Sequence, residues 1–253
     1  MKRMLDYIEQ KNQAFGRRKI FDWLRDDNVK PEERFSFAPY MAHFVFSFMD
    51  INRFVLRDLN NTDEFQHLVN IHTDEDSHHW PWYLEDLKRM KFDKLQNFTD
   101  TLFFLWGDHT IKSRMITYEM TAIAKQLTPK EKIILVEVIE KTGNIFLGCT
   151  AEASQAAGKG ESFLYYGNHH LACESGHTMG TDDIETRLHA IELSDEEVTA
   201  GIRLIDRIFD LYHDFVDEMY AFATENSYQA LQKADVYASG IDREMPVAYG
   251  HSM

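Results

Sequence analysis

The chain has 253 residues, and 27 basic against 42 acidic side chains give it a formal net charge of −15. This acidic balance argues against a protein that binds nucleic acid or an anionic membrane through a basic surface. Two cysteines form no disulfide framework, the N-terminal residues lack an apolar signal segment, and no apolar run approaches the ~20 residues of a membrane helix. A cytoplasmic protein without a membrane segment is therefore expected.

Apolar residues recur with the i, i+3, i+4 spacing of helices in roughly eight segments, and no alternating run bounded by turn residues is present. The pattern predicts an all-α fold, a single-domain helical bundle over residues 1–253. Three helix starts are indicated by a capping residue with an acid in the first turn. They lie at Asn61 with Glu64, at Thr128 with Glu131, and at Ser194 with Glu197.

Along the first half of the chain, three stretches are typical of bundle walls, at residues 35–59, 61–90 and 93–127. The second half predicts a helical hairpin. Its first arm runs from Pro129 to about Ala157, a Gly-Lys-Gly turn follows at 158–160, and the second arm carries FLYYGNHHLACESGH. A long final helix is expected from Ser194 to about Lys233, and an irregular tail from Ala238.

The second arm of this hairpin contains the most specific pattern in the chain. His170, Glu174 and His177 stand at i, i+4 and i+7, which places them within an arc of ~60° on one side of a helix. Two imidazoles and a carboxylate on one face suit a metal such as iron or manganese. A chain of this composition would contain such a triplet by chance only about 0.09 times.

The same spacing occurs a second time, at His72, Asp76 and His79, inside the run HTDEDSHHW. This run also contains Glu75-x-x-His78, which apolar neighbours on both sides would turn toward the core. An acid three residues before a histidine occurs five times in the chain, so that pattern alone is weak. The sequence leaves open whether His72, His78 or His79 is the early metal ligand.

A dinuclear metal site also needs a carboxylate from a further helix. The first arm of the hairpin offers Glu140, which borders apolar residues, and Glu152, which is surrounded by small residues that allow a close approach. Glu137 shares an arc with polar residues and is predicted to lie on the surface. Glu119 is a third candidate, with the alternative that it is a charged residue at the edge of a helix. The bridging acid therefore stays open among Glu140, Glu152 and Glu119.

The late His-x-x-x-Glu-x-x-His motif, with an acid and histidine element upstream and a glutamate on the partner arm, resembles the heme-oxygenase-like diiron oxidases. That family shares its fold with the thiaminase-type and pyrroloquinoline quinone synthase proteins, and the resemblance covers about residues 35 to 235. It departs from the family in using Glu rather than Asp in the late motif. The early acid and histidine are also one turn apart rather than two. The resemblance implies iron ligands at His170, Glu174 and His177, at Glu75 with His78 or His79, and at Glu140 or Glu152.

The resemblance further implies a non-heme diiron oxidase or oxygenase that uses dioxygen to oxidise a small organic substrate. An apolar pocket could be lined by Trp80, Trp82, Phe103, Phe104, Trp106 and Tyr166. Three alternatives remain: a metal-free or heme-binding member of the same fold, a ferritin-like diiron N-oxygenase, and a non-catalytic helical partner protein. An electron donor, a homodimer, and manganese in place of iron are left open by the sequence.

Overall fold

The structure is a computed structural model that describes residues 1–93, 97–176 and 187–229, with the backbone alone for residues 174–176. Over these ranges the chain is helical and forms no strand, which confirms the all-α prediction. The helices are α1 Lys2–Phe15, α2 Lys19–Arg25, α3 Ala42–Ile51, α4 Glu64–Asp76, α5 Trp80–Arg89, α6 Phe98–Trp106, α7 Ile111–Ala124, α8 Pro129–Ala156, α9 Asn168–Gly176 and α10 Asp195–Glu225. None of the helices in the described ranges is both long and apolar enough to cross a bilayer.

Two of the three predicted helix starts are confirmed. Thr128 and Ser194 each accept a hydrogen bond from the backbone of the third helical residue, and the glutamate there bonds back to complete a capping box. The prediction at Asn61 is wrong by two residues. Asp63 caps α4 by accepting from the backbone N–H groups of Phe65 and Gln66, and Asn61 accepts from the N–H of Asp63. Asn61 therefore stabilises the turn before the cap.

The two longest helices, α8 and α10, organise the bundle. They pack against each other, α1 and α2 contact both, and α8 also contacts α4 and α9. Gly201 of α10 allows this close packing, because a Cβ atom there would lie 2.7 Å from Sδ of Met4 and 3.0 Å from Cδ1 of Ile134. The buried apolar side chains form one continuous core. Helix α8 thus contacts both α4 and α9.

The predicted wall at residues 61–90 is two helices. Helix α4 ends at Asp76, and α5 begins at Trp80 with Pro81 in its first turn. Proline suits the first turn of a helix because its missing N–H group would have no partner there. The break changes the direction of the chain between Asp76 and His79, so these residues do not continue one helical face.

The hairpin arms are in contact as predicted, but the second arm begins later. Residues 163–167, which carry FLYYG, are not helical, and α9 starts at Asn168. The final helix ends at Glu225, earlier than the predicted Lys233, and the predicted tail from Ala238 lies outside the described residues.

Candidate metal centre

Two buried side chains from α4 and one largely buried side chain from α8 form a group with metal-binding geometry. Nε2 of His72 lies 3.0 Å from Oδ2 of Asp76 and 3.3 Å from Oε1 of Glu140. One nitrogen or oxygen atom from each residue lies within 4.8 Å of the others. Adjacent ligands of one octahedral divalent ion are about 3 Å apart, given bonds of about 2.1 Å. The three side chains can therefore share one ion without moving far.

This group carries an electrostatic cost that a cation would relieve. Two carboxylates face one imidazole in a site where the side chains of His72, Asp76 and Glu140 are 4%, 6% and 12% exposed. Oδ1 of Asp76 is buried without a hydrogen-bond partner. Burial raises the pKa of the nearby Tyr212 hydroxyl, and the charges of Asp76 and Glu140 raise that pKa further. Like charges and an unsatisfied oxygen are stable together only when a positive charge or a proton joins them.

A pair of imidazoles lies in the same region. Nε2 of His170, on α9, is 3.1 Å from Nδ1 of His79, which directly precedes α5. Nδ1 of His170 is 3.0 Å from the carbonyl oxygen of Tyr165. A carbonyl only accepts hydrogen bonds, so Nδ1 carries the proton and neutral His170 has its lone pair on Nε2. The ring of His79 stacks on Trp82 with centroids 4.6 Å apart. Backbone carbonyls orient metal-binding histidines in the same way.

The carbonyl that orients His170 is itself fixed by Asp86 of α5. The buried Asp86 carboxylate accepts hydrogen bonds from the backbone N–H groups of Leu164, Tyr165 and Tyr166, at 2.7, 2.8 and 3.0 Å. Burial raises the pKa of Asp86, and these three bonds oppose the rise. These bonds fix the non-helical residues 164–166 just before α9. The contact is long-range, so the sequence of the second arm does not reveal it.

A cavity of about 100 Å³ joins the two groups. Asp76, Glu140 and His170 supply charged or titratable groups to its wall, each from a different helix. Most of the remaining wall is apolar and comes largely from α3, α8 and α10. It includes Phe44, Phe48, Phe146, Leu147, Phe215 and Val216. The arrangement places the candidate metal ligands at a polar end of an otherwise apolar space.

The early residues named by the resemblance are placed differently by the structure. Glu75 and His78 are exposed, whereas Asp76, His72 and His79 are buried. Burial therefore favours Asp76 over Glu75, and it favours His72 and His79 over His78. The buried residues are the second copy of the spacing found at residues 170–177. That repeated spacing was the sequence signal for Asp76, although the resemblance directed attention to Glu75.

Among the candidate bridging acids, the structure brings only Glu140 to the centre. Glu152 is on the outer face of α8, where its side chain is 61% exposed and 3.0 Å from the guanidinium of Arg25. Glu119 is paired with Arg207 at the surface. The expectation that Glu137 lies on the surface is wrong, since it is buried. The small residues around Glu152 thus do not mark an ion site.

Two of the predicted late ligands lie beyond what the structure describes. His177 lies outside the described residues, and only the backbone of Glu174 is described, within α9. His170 is 4% exposed and belongs to the centre. The predicted aromatic pocket is wrong, because none of its six residues is among the described residues of the cavity wall. Phe103 and Trp106 are exposed, and the wall contains Tyr165 rather than Tyr166. Asp86 was missed, since no local sequence pattern marks a contact spanning 80 residues.

The chain matches no protein-family model and no curated protein sequence. The case for a metal at this centre is therefore made from the chemistry of its donor atoms. Imidazole nitrogens and carboxylate oxygens suit iron(II), manganese(II) and zinc(II). The orphaned Oδ1 atom of Asp76 and the like charges of Asp76 and Glu140 fit a bound divalent cation.

Proposed function

We propose that this protein is a non-heme oxidase or oxygenase that holds two iron ions, or an iron and manganese pair, and uses dioxygen to oxidise a small organic substrate. The observation that carries the proposal is the buried His72, Asp76 and Glu140 group beside the His79 and His170 pair, at the polar end of an apolar cavity. The resemblance to the heme-oxygenase-like diiron oxidases adds Glu174 and His177 to this ligand set.

Each part of the site has a physical role in this proposal. His72, Asp76 and Glu140 would hold one ion, while His79 and His170, completed by the late motif, would hold the second. A pair of reduced irons supplies the capacity to activate dioxygen. The Tyr165 carbonyl accepts a hydrogen bond from Nδ1 of His170 and orients Nε2 toward His79. The apolar wall excludes water from the reacting groups and leaves space for substrate.

The geometry favours this proposal over the alternatives drawn from the sequence. A heme group needs a pocket in the range of about 300–1,000 Å³ that is usual for ligands of that size, whereas the cavity measures about 100 Å³. A metal-storing surface on a non-catalytic protein would have exposed donors, but His72, Asp76 and His170 are buried. Only the resemblance of the late motif favours a heme-oxygenase-like diiron oxidase over a ferritin-like diiron N-oxygenase.

Two glutamates of α8 provide a matched test. We expect Glu140→Gln to lose bound iron and oxygen consumption, because it removes a ligand charge from the centre. We expect Glu152→Gln to keep both, because its side chain faces solvent. Iron content by elemental analysis and oxygen uptake under reducing conditions are the measurements. Loss of iron in the Glu152 variant with retention in the Glu140 variant would overturn the proposal.

The late motif is tested in the same assays. Glu174→Ala and His177→Ala should each lose iron and oxygen consumption while the helical circular dichroism signal persists, since a missing ligand leaves the bundle intact. Unchanged iron content in both variants would remove these residues from the ligand set.

A further inference from the structure

We propose that the cavity binds a substrate no larger than one aromatic ring or a short aliphatic chain, with a single oxygen-bearing group turned toward Asp76, Glu140 and His170. This inference rests on the proposed function in one respect, namely that the oxygen-bearing group would contact the metal. The size and apolar character of the ligand follow from the cavity itself and hold whether or not a metal is bound.

The volume sets the size of the ligand. An engineered apolar cavity of about 150 Å³ in another protein stays dry and binds benzene. The cavity here measures about 100 Å³, so a single ring approaches the limit of what it accepts. A fused two-ring molecule would require the packed side chains of α8 and α10 to move apart, and overpacking of this kind typically costs 1–3 kcal/mol. A sharp cut-off between one ring and two is therefore expected.

The wall sets the chemical character of the ligand. Seven of its described residues are Phe or Tyr, and no Lys or Arg is present among the wall residues in the described ranges. A charged group on the ligand thus finds no partner along most of the wall, and desolvating it there would be costly. The polar end formed by Asp76, Glu140 and His170 is where an oxygen-bearing group is stabilised.

Gly143 of α8 is a position on the cavity wall where a Cβ atom has open space around it. It belongs to the cavity wall, and a Cβ atom built on it would meet no atom within 4 Å. Gly148 of the same helix also has open space around its Cβ position, but it is not part of the wall. A larger side chain at either position raises helix propensity by up to about 1 kcal/mol relative to glycine. Gly143→Leu and Gly148→Leu are therefore matched variants, one filling the cavity and one not.

Calorimetric titration with phenol and with 2-naphthol tests the size limit of the cavity, because both ligands are uncharged and they differ by one ring. We expect phenol to bind the wild-type protein and the Gly148→Leu variant with equal affinity. Binding should be at least tenfold weaker in Gly143→Leu, and Gly143→Ala should lie between the two. We expect 2-naphthol to show no binding at the same concentrations. Phenol binding that is undetectable in wild type or unchanged in Gly143→Leu would overturn the proposal, as would equal affinity for phenol and 2-naphthol.

Titration with benzoate separates this inference from the proposed function. The wild-type protein is compared with and without loading by manganese(II), and the metal content of each sample is measured. Benzoate should bind at least tenfold more tightly to the loaded protein, because the metal supplies a positive charge for its carboxylate and the described wall residues include no Lys or Arg. Equal benzoate affinity in a protein that does take up metal would overturn the orientation proposed here. A protein that takes up no metal but still binds phenol would refute the proposed function and leave the size-limited pocket intact.

Discussion

Replacing Asp76 by asparagine should have opposite effects on the metal-free and the metal-loaded protein. In the metal-free protein, Asp76 lies beside Glu140 in a buried site, and its Oδ1 atom has no hydrogen-bond partner. A buried polar atom left unsatisfied costs about 1–3 kcal/mol. The amide keeps the shape of the side chain and removes its charge. We therefore expect the metal-free variant to be at least as stable as the metal-free wild type. Its free energy of unfolding should be higher by up to about 1 kcal/mol.

The metal-loaded protein should respond in the other direction. Metal at 100 times its Kd stabilises a folded protein by about 2.7 kcal/mol, which corresponds to a rise in Tm of about 5–11 °C for a chain of this size. Loss of the Asp76 ligand should weaken binding at least 100-fold, since even outer contacts to ligands are worth 10–100-fold. The same metal concentration then supplies only about 0.4 kcal/mol, a rise of about 1 °C.

Thermal unfolding under anaerobic conditions, with and without iron(II), measures both effects. Glu75→Gln is the matched control, because Glu75 is the adjacent residue on α4, is acidic and is exposed. It should keep the full metal-dependent rise in Tm. The reasoning would be refuted if Glu75→Gln lost the metal-dependent rise while Asp76→Asn retained it, since the ligand would then be the residue named by the resemblance.

Three further changes test other parts of the structure. Asp86→Asn should lower metal affinity by about 10–100-fold, because it loosens the backbone that orients His170. Calorimetric titration with manganese(II) measures this affinity, and an unchanged value would show that Asp86 does not position His170 for metal binding. Burial raises the pKa of Cys149 to about 11, so its thiol stays protonated at pH 8 and becomes reactive only as the pH approaches that value. Iodoacetamide should therefore modify Cys149 at pH 8 only after unfolding, and modification of the native protein, seen by mass spectrometry, would contradict the burial. Ser194→Ala removes the cap of α10 and should lower Tm by about 2–4 °C, from a loss of about 1 kcal/mol, while an unchanged melting curve would contradict the capping box.

The helical architecture could be predicted because its signals are local. Apolar spacing and the capping boxes at Thr128 and Ser194 depend on residues within one or two turns of each other. The hairpin of α8 and α9 followed from the same patterns and the short turn between them. The first helix start failed for a local reason as well, since Asn61, Thr62 and Asp63 are all capping residues and spacing alone does not choose among them.

The candidate site was less predictable, because its decisive features are relations between distant parts of the chain. The choice of Asp76 over Glu75 depends on which side of α4 faces α8, and the break before Pro81 shifts His79 away from that helical face. The choice of Glu140 over Glu152 depends on how far along α8 the neighbouring helices cross. Asp86 contacts residues about 80 positions away. The residue types were visible in the sequence, whereas their convergence required the packing of α4 and α9 against α8 and the contact of α5 with the residues before α9.

The candidate metal centre and the fold share the same packing. The donors of the candidate centre belong to α4, α8 and α9 and to the residue before α5, so a pair of ions held there would together join four segments of the bundle. Without an ion, the same residues bring together two carboxylates and an unsatisfied oxygen, which opposes their burial. Part of the binding free energy of the ion then offsets the repulsion between the carboxylates. The remainder raises the free energy of unfolding. Because Asp76, Glu140 and His170 are part of the cavity wall, ions held by them would also fix the shape of the space in which a substrate binds.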